Sequence, residues 1–200
     1  CIRHDINGDR TMTSIIKVDT LQKANGATPT AADLGINTSG SVLQVGNAVF
    51  TGHMSIGTYN YTNVTNLSVT LTPKSTNSIF ILKPSLSISC NYFSMGFRIL
   101  RDSNIQSDYI ASGVESRQAT TAHVNPYKSG DTTGSNSYQA FYVSGEYVDN
   151  TSAPDTTTPI TWLIQASCYN GGAINRGQSD SNSSAYFQSV SSFVVYEIQK

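Results

Sequence analysis

Between residues 78 and 90 the chain alternates. Phe80, Leu82, Leu86, Ile88 and Cys90 take the even positions, with Lys83, Ser85, Ser87 and Ser89 between them. A period of two is that of a half-buried β-strand, one face in the core and the other in water. Residues 91–96 interrupt the alternation, and Phe97, Ile99 and Leu100 resume an apolar run that closes on Arg101 and Asp102. The pattern predicts a strand, a connection and a second strand, a hairpin at the centre of the fold. Pro84 falls on the inward phase of the first strand. Proline has no N–H to give a ladder, so this point is expected to be an edge, a bulge or a place where the strand changes partners.

The same period returns elsewhere. Leu67, Val69 and Leu71 alternate with Ser68 and Thr70 inside residues 59–72. Within residues 161–169, Trp162, Ile164, Ala166 and Cys168 share one face, in phase with the Phe80 strand, which makes this stretch its expected partner across the core. Residues 41–54, 138–148 and 185–198 also read as strands, the last ending in FVVYEI. Turn signals stand at Gly57, at residues 73–77 and at Asn170-Gly171-Gly172, the last of which fits a hairpin. About eight to ten short strands with no clear helix predict an all-β chain, an antiparallel, jelly-roll-like sandwich.

Ahead of the strands, residues 1–40 read as an extended amino-terminal arm and residues 41–200 as the sandwich, with the boundary in the polar stretch 35–40. The arm carries few apolar groups, chiefly Ile15, Ile16, Val18 and Leu21, and an Asn25-Gly26 turn signal. Ile15, Val18 and Leu21 with Lys17 would also fit a short amphipathic helix, though β-branched residues weaken that reading. Such an arm cannot bury its apolar groups alone, so another copy or another protein is expected to hold it. Residues 1–11 precede Met12, which has the look of a natural start; they fit a piece from farther upstream in a longer chain. Asp5, Asn7 and Asp9 alternate like the opening of a calcium loop, but Arg10 stands where the turn glycine belongs and Ile16 where the closing Glu belongs, so a solvated turn is expected.

Composition narrows the function. Charged residues make up 12% of the chain against the usual ~25%. The net charge is −1 and no Lys/Arg run exists, so a basic nucleic-acid face has no support. No apolar stretch reaches the ~18–20 residues of a membrane span, and residues 1–20 lack the pattern of a signal peptide, so a soluble protein without membrane insertion is expected. Cys1, Cys90 and Cys168 have no metal spacing. Cys90 and Cys168 lie on the apolar phase of their strands, and buried, inert thiols are the favoured reading over a cross-sheet disulfide.

Catalytic patterns are thin. His53-Met54-Ser55-Ile56-Gly57 approaches a nucleophile elbow but has His where the first glycine belongs, and Ser55 reads as a turn residue. His4, His53 and His123 are far apart, with no ligand spacing, and no metal or cofactor is expected. Asp102, Asp108 and Glu115 could meet as a glycosidase pair only through the fold. The chain does hold eleven tyrosines. Residues 103–137 form a long polar loop, and Tyr109, Tyr127 and Tyr138 border it with Asn125, Ser135 and Asn136. Tyrosine with small amides and hydroxyls suits an adaptable recognition surface, and its flat ring can stack on sugars. Tyr109, Tyr127, Asn136 and Tyr138 are therefore the candidate receptor-binding residues, beside the plainer reading that half of the tyrosines are strand residues.

Two sets of residues carry a resemblance. From Thr11, TMTSIIKVDTLQKANGATPTAADLGINTSGSVLQV resembles the amino-terminal segment of marine-phage and phage-like virion proteins, tail-fibre and structural proteins among them. Later, LTPKSTNSIFIL, FRILRD, TTPITWLIQA and the closing VVYEI resemble their compact carboxy-terminal β-domain. Residues 1–10 and 103–137 depart from that pattern. The resemblance implies a non-enzymatic component on the surface of a phage particle. Its arm would attach to other virion proteins through Ile15, Ile16, Val18 and Leu21, and its head would form a homotrimer. Two roles follow: a fibre or receptor-binding part whose loops meet a host glycan or protein, or a capsid decoration protein that clamps neighbouring subunits. A carbohydrate-active enzyme ranks third.

Overall fold

The computed structural model describes residues 21–29, 33–34, 39–90, 94–106, 109–111, 118–124, 140–153, 155–177 and 188–200. The chain divides into two units, Cys1–Asn37 and Thr38–Lys200. In the first, the Asn25-Gly26 signal makes the turn it predicts. Gly26 takes a φ of 80°, its N–H donates to the Lys23 carbonyl at 2.8 Å, and Asn25 Oδ1 accepts from the Ala27 N–H at 3.1 Å. Lys23 pairs with Asp33 at 2.5 Å.

The second unit is all β. Its strands are β1 (Val42–Phe50), β2 (Met54–Ile56), β3 (Thr62–Leu71), β4 (Ser78–Cys90), β5 (Met95–Arg101), β6 (Ala122–Val124), β7 (Phe141–Ser144), β8 (Tyr147–Asp149), β9 (Ile160–Cys168), β10 (Gly172–Ile174) and β11 (Ser191–Gln199). Two antiparallel sheets form a sandwich. The seven-stranded sheet runs β1-β11-β4-β10-β2, with β7 and β8 also paired to β4, and the four-stranded sheet runs β3-β9-β5-β6. No helix occurs among the described residues. The short strands β6 and β10 were not foreseen, since three residues carry too little alternation to register.

Strand β4 organises the larger sheet. One of its edges holds β11 and β10, and the other holds β8 against residues 80–82 and β7 against residues 85–88. Pro84 sits in the gap between β8 and β7. Its carbonyl accepts from the Gly145 N–H at 3.4 Å, so its missing N–H points to the same gap, where no ladder bond is lost. The partner change expected at Pro84 is present.

Two expected hairpins are not. Strand β5 does not pair with β4 but joins the opposite sheet beside β9. Both edges of β4 are already filled, so the chain must cross the sandwich after Cys90. The turn at Asn170-Gly171-Gly172 is likewise a crossing, from β9 in one sheet to β10 in the other. Strand β9 has β3 and β5 on its two edges and cannot take a third partner. Glycine makes the second crossing possible. A Cβ on Gly172 would lie 2.7 Å from the Ser89 carbonyl oxygen and 2.9 Å from Met95 Sδ.

The core lies between the sheets, as the shared phase of Phe80 and Trp162 requires; their ring centroids are 4.6 Å apart. Phe80, Leu82, Leu86 and Ile88 face Phe97, Ile99, Trp162 and Ile164, all fully buried. Each such side chain contributes about 1.5–3 kcal/mol on leaving water. A bulge in β3 between Asn63 and Ser68, with Asn66 at a φ of 58°, turns both Val64 and Leu67 inward.

Three buried polar groups tie strands and turns together. Asp149 on β8 accepts from Arg101 Nη1 at 3.1 Å, from the indole N–H of Trp162 at 2.8 Å and from the Thr151 N–H at 3.0 Å, joining the two sheets at one end. Glu197 accepts from Gln44 Nε2, the Ser78 hydroxyl and the N–H groups of Lys74 and Ser75 at 2.6–3.1 Å, which fixes the β3–β4 turn to β11. Asn175 donates through Nδ2 to the carbonyls of Phe50 and Gly52 and accepts from the Ser191 hydroxyl. At the other end of the core, Cys90 and Cys168 are buried thiols with no disulfide between them, and the Cys90 thiol donates to the Cys168 sulfur.

Candidate functional site

Of the receptor-binding candidates, Tyr127, Asn136 and Tyr138 lie outside the described residues. Tyr109 is in the hydrophobic core cluster and 6% exposed, packed rather than presented to solvent. Of the arm residues, Ile15, Ile16 and Val18 lie outside the described residues, and Leu21 is exposed. Ser55 sits on the edge strand β2, where its hydroxyl accepts from Arg176 Nη2 at 3.1 Å. Asp102 Oδ1 accepts from the Thr161 N–H at 2.8 Å, a turn contact at the start of β9, while Asp108 and Glu115 lie outside the described residues. Among the described residues no three metal-ligating side chains gather, and no helix is long and apolar enough to cross a membrane.

The two outer faces of the sandwich differ in kind. On the seven-stranded sheet, Val42, Val45 and Val49 of β1 are about half exposed, at 47–55%. Ladder pairing sets Val42 beside Ile198, Val45 beside Tyr196 and Asn47 beside Val194 on β11, and these in turn beside Ile79, Ile81 and Lys83 on β4. Val148 of β8 continues the row past Ile81. The outward phase of this sheet is thus apolar where Val42, Val45, Tyr196, Ile198, Ile79, Ile81 and Val148 lie side by side, and turns polar along Lys83, Ser85 and Ser192. Lys83 is the charge within it, paired with Glu146 at 3.0 Å and 6.0 Å from the Tyr196 ring centroid.

On the four-stranded sheet the outward phase carries one apolar pair, Leu163 beside Leu100, and polar side chains that are bonded to one another. The hydroxyls of Thr70 and Thr161 meet at 2.8 Å. Gln165 Nε2 donates to Asn63 Oδ1 at 2.7 Å, and Gln165 Oε1 accepts from Arg98 Nε at 2.9 Å. The Arg98 guanidinium carbon lies 3.9 Å from the centroid of the Tyr61 ring, a stacked cation–π contact. Burial raises the Tyr61 phenol above its ordinary value, with the Arg98 charge pulling the other way. Its hydroxyl donates to the Ala119 carbonyl at 2.8 Å.

That bond belongs to a strap. Residues 118–121 cross the outer side of β5: Gln118 Nε2 donates to the Tyr59 carbonyl at 2.9 Å, and the Thr121 N–H donates to the Phe97 carbonyl at 2.8 Å. Gly96 lets the strap lie close, since a Cβ there would be 2.8 Å from Thr120 Cγ2. Beyond the strap, Tyr59 and Tyr169 stand 55% and 43% exposed with ring centroids 5.1 Å apart and planes at 72°.

The residues brought together on this face, Tyr59, Tyr61, Asn63, Arg98, Gln165 and Tyr169, were not singled out from sequence. A signal was there: Tyr59, Tyr61 and Asn63 alternate on the polar phase leading into β3, and Gln165 and Tyr169 share the polar phase of β9. No protein-family model matches the chain, and no curated protein matches its sequence.

Proposed function

We propose that this chain is a non-enzymatic structural protein of a phage-type particle, anchored by its amino-terminal arm and self-associating as a homotrimer through the outer face of its seven-stranded sheet. The observation that carries the reading is the apolar character of that face, with Val45, Val49, Val148 and Tyr196 on its outward phase. A solvated sheet face ordinarily alternates to polar residues, and contiguous exposed apolar surface marks an interaction site. In a closed trimer each copy would cover the apolar face of the next. The sequence resemblance to virion proteins supplies the setting, a fibre or receptor-binding component on the particle surface.

Light scattering on the purified full chain tests the reading. The expected mass is that of three chains, and Val45→Asp with Tyr196→Asp is expected to give monomers of unchanged fold. A parent chain that stays monomeric at high concentration overturns self-association. It would favour the decoration role, in which the same face seats on a capsid subunit and the isolated protein stays single.

A further inference from the structure

We propose that the outer face of the four-stranded sheet binds an acidic oligosaccharide, with the Arg98 guanidinium taking a sugar carboxylate and the Tyr59–Tyr169 pair taking a sugar ring. The proposal deepens the attachment reading above by naming a ligand class for it, and its test reads sugar binding rather than oligomeric state, so either can fail alone.

Arg98 is the first support. Its Nε is spent on Gln165, whose own amide is oriented by Asn63, and one face of its plane is stacked on Tyr61. Its two terminal nitrogens carry no hydrogen bond or ion pair among the described residues, and the described salt bridges are made by other cations. What remains is an oriented edge of N–H donors with no counter-charge, the geometry that a carboxylate meets with two parallel bonds.

Tyr59 is the second. It holds a φ of 62°, a left-handed conformation unfavourable for a bulky residue, and it does so while more than half exposed. Both of its backbone groups are pinned, the N–H to the Cys168 carbonyl at 2.8 Å and the carbonyl to Gln118 Nε2 at 2.9 Å. An exposed ring held rigidly is the form of aromatic that stacks on another flat or apolar surface at small entropic cost.

Register puts the two supports on one face. Asn63 pairs with Gln165 and Gln165 with Arg98. Two outward steps along β9 lead from Gln165 to Tyr169, which touches Tyr59. Four residues of strand cover about 13 Å, so a ligand reaching both supports is longer than one sugar unit. Ser167, 5% exposed, and Gly96, where a Cβ would lie 2.8 Å from Thr120 Cγ2, are covered between them, so a ligand reaching both supports passes over the strap. Rigid ring, amides and a single oriented cation on a flat face suit a polyhydroxylated acid better than an acidic peptide, whose extended backbone would seek a sheet edge.

Calorimetric titration of the full chain with a short oligomer of a uronic acid tests this, beside the same oligomer with its carboxyls reduced to alcohols and an acidic peptide of similar length and charge. Expected are saturable binding of the uronic oligomer, at least tenfold weaker binding of the reduced oligomer and of the peptide, and at least tenfold losses in Arg98→Gln and Tyr59→Ala. Arg98→Lys keeps the charge but loses the planar stack and the fork, and should fall between parent and Arg98→Gln. Variants are compared only where their thermal unfolding matches the parent, and if Arg98→Gln fails to fold, Arg98→Lys and the reduced oligomer decide. Absence of saturable uronic binding, equal binding of the neutral oligomer or of the peptide, or undiminished binding by the Arg98 variants each overturns the proposal.

Discussion

The two outer faces of this sandwich were built from the same kind of alternating sequence and came out opposite. Along β11 the outward residues Val194, Tyr196 and Ile198 are as apolar as the inward ones, whereas along β9 Leu163 stands on the outward phase with Thr161, Gln165 and Ser167, and the phenol of Tyr169 follows just past the strand. The first face excludes water only if something covers it; the second is already hydrogen-bonded and can stay wet. One face is therefore suited to association and the other to recognition, and a single core serves both.

The largest expected effect tests that shared core. Asp149 of the seven-stranded sheet holds Arg101 and Trp162 of the four-stranded sheet, and the pair is buried. Asp149→Ala leaves a guanidinium buried without its partner and is expected to cost about 3–5 kcal/mol. Since Trp162 is the one tryptophan of the chain, its fluorescence and the far-ultraviolet signal should lose structure together in denaturant. Separate transitions would mean that the sheets are independent bodies, and the contrast of two faces on one molecule would fall.

Next is a matched pair of substitutions. Tyr196→Asp places a charge between Val45 and Ile81 in the apolar face, and Ser68→Asp places one on the exposed polar face. The first is expected to weaken self-association by about 100-fold, the size of a hot-spot loss. The second should leave association alone and change stability by no more than about 0.5 kcal/mol. Sedimentation equilibrium on both reads the difference directly, and equal effects would erase the distinction between the faces.

Gly46 offers a subtler probe of the same contrast, through the edge strand of the apolar face. A Cβ at this position would lie 2.6 Å from Val69 Cγ1 and 2.8 Å from Leu71 Cδ2. Gly46→Ala must therefore push β1 away from β3, at about 1–3 kcal/mol by thermal unfolding. The displacement also bends Val45 out of line with Tyr196, so association should weaken along with stability. A fully stable variant would show that β1 has room to give.

How far the sequence foretold this can be judged strand by strand. Alternation in residues 78–90 and 161–168 was enough to set β4 and β9 face to face, because inward phase alone decides which residues share a core. It could not say which strands share a sheet. That is settled by edge occupancy, a property of the whole sheet: β4 and β9 have both edges filled, so the apparent hairpins after Cys90 and after Cys168 became crossings. The recognition face was hidden for a similar reason. Arg98, Gln165 and Asn63 sit on three strands far apart in the chain, and only the ladder register brings them into line. Tyr109, chosen for its loop composition, is instead a core residue, since a tyrosine in a polar loop can fold its ring under the loop that carries it.

The smallest effect at neutral pH lies between the two sheets, where Cys90 comes from one and Cys168 from the other. Donation to the Cys168 sulfur, with burial behind it, pushes the Cys90 thiol well above the ordinary thiol range. Cys168→Ala removes the acceptor and should change stability at pH 7 by no more than about 1 kcal/mol. At alkaline pH the difference grows. A group whose folded pKa is raised contributes stability that is complete below its unfolded pKa, about 8.5 for a thiol, and is lost as pH rises beyond it. The parent should therefore lose up to about 1.4 kcal/mol per pH unit through Cys90 above that point, and Cys90→Ala should lose less. Maleimide labelling gives the companion measurement. Because both sulfurs are buried, both cysteines should react at the rate of global opening, and fast labelling of Cys168 alone, whose thiol the bond from Cys90 holds below the ordinary range, would show that the four-stranded sheet opens at this end by itself.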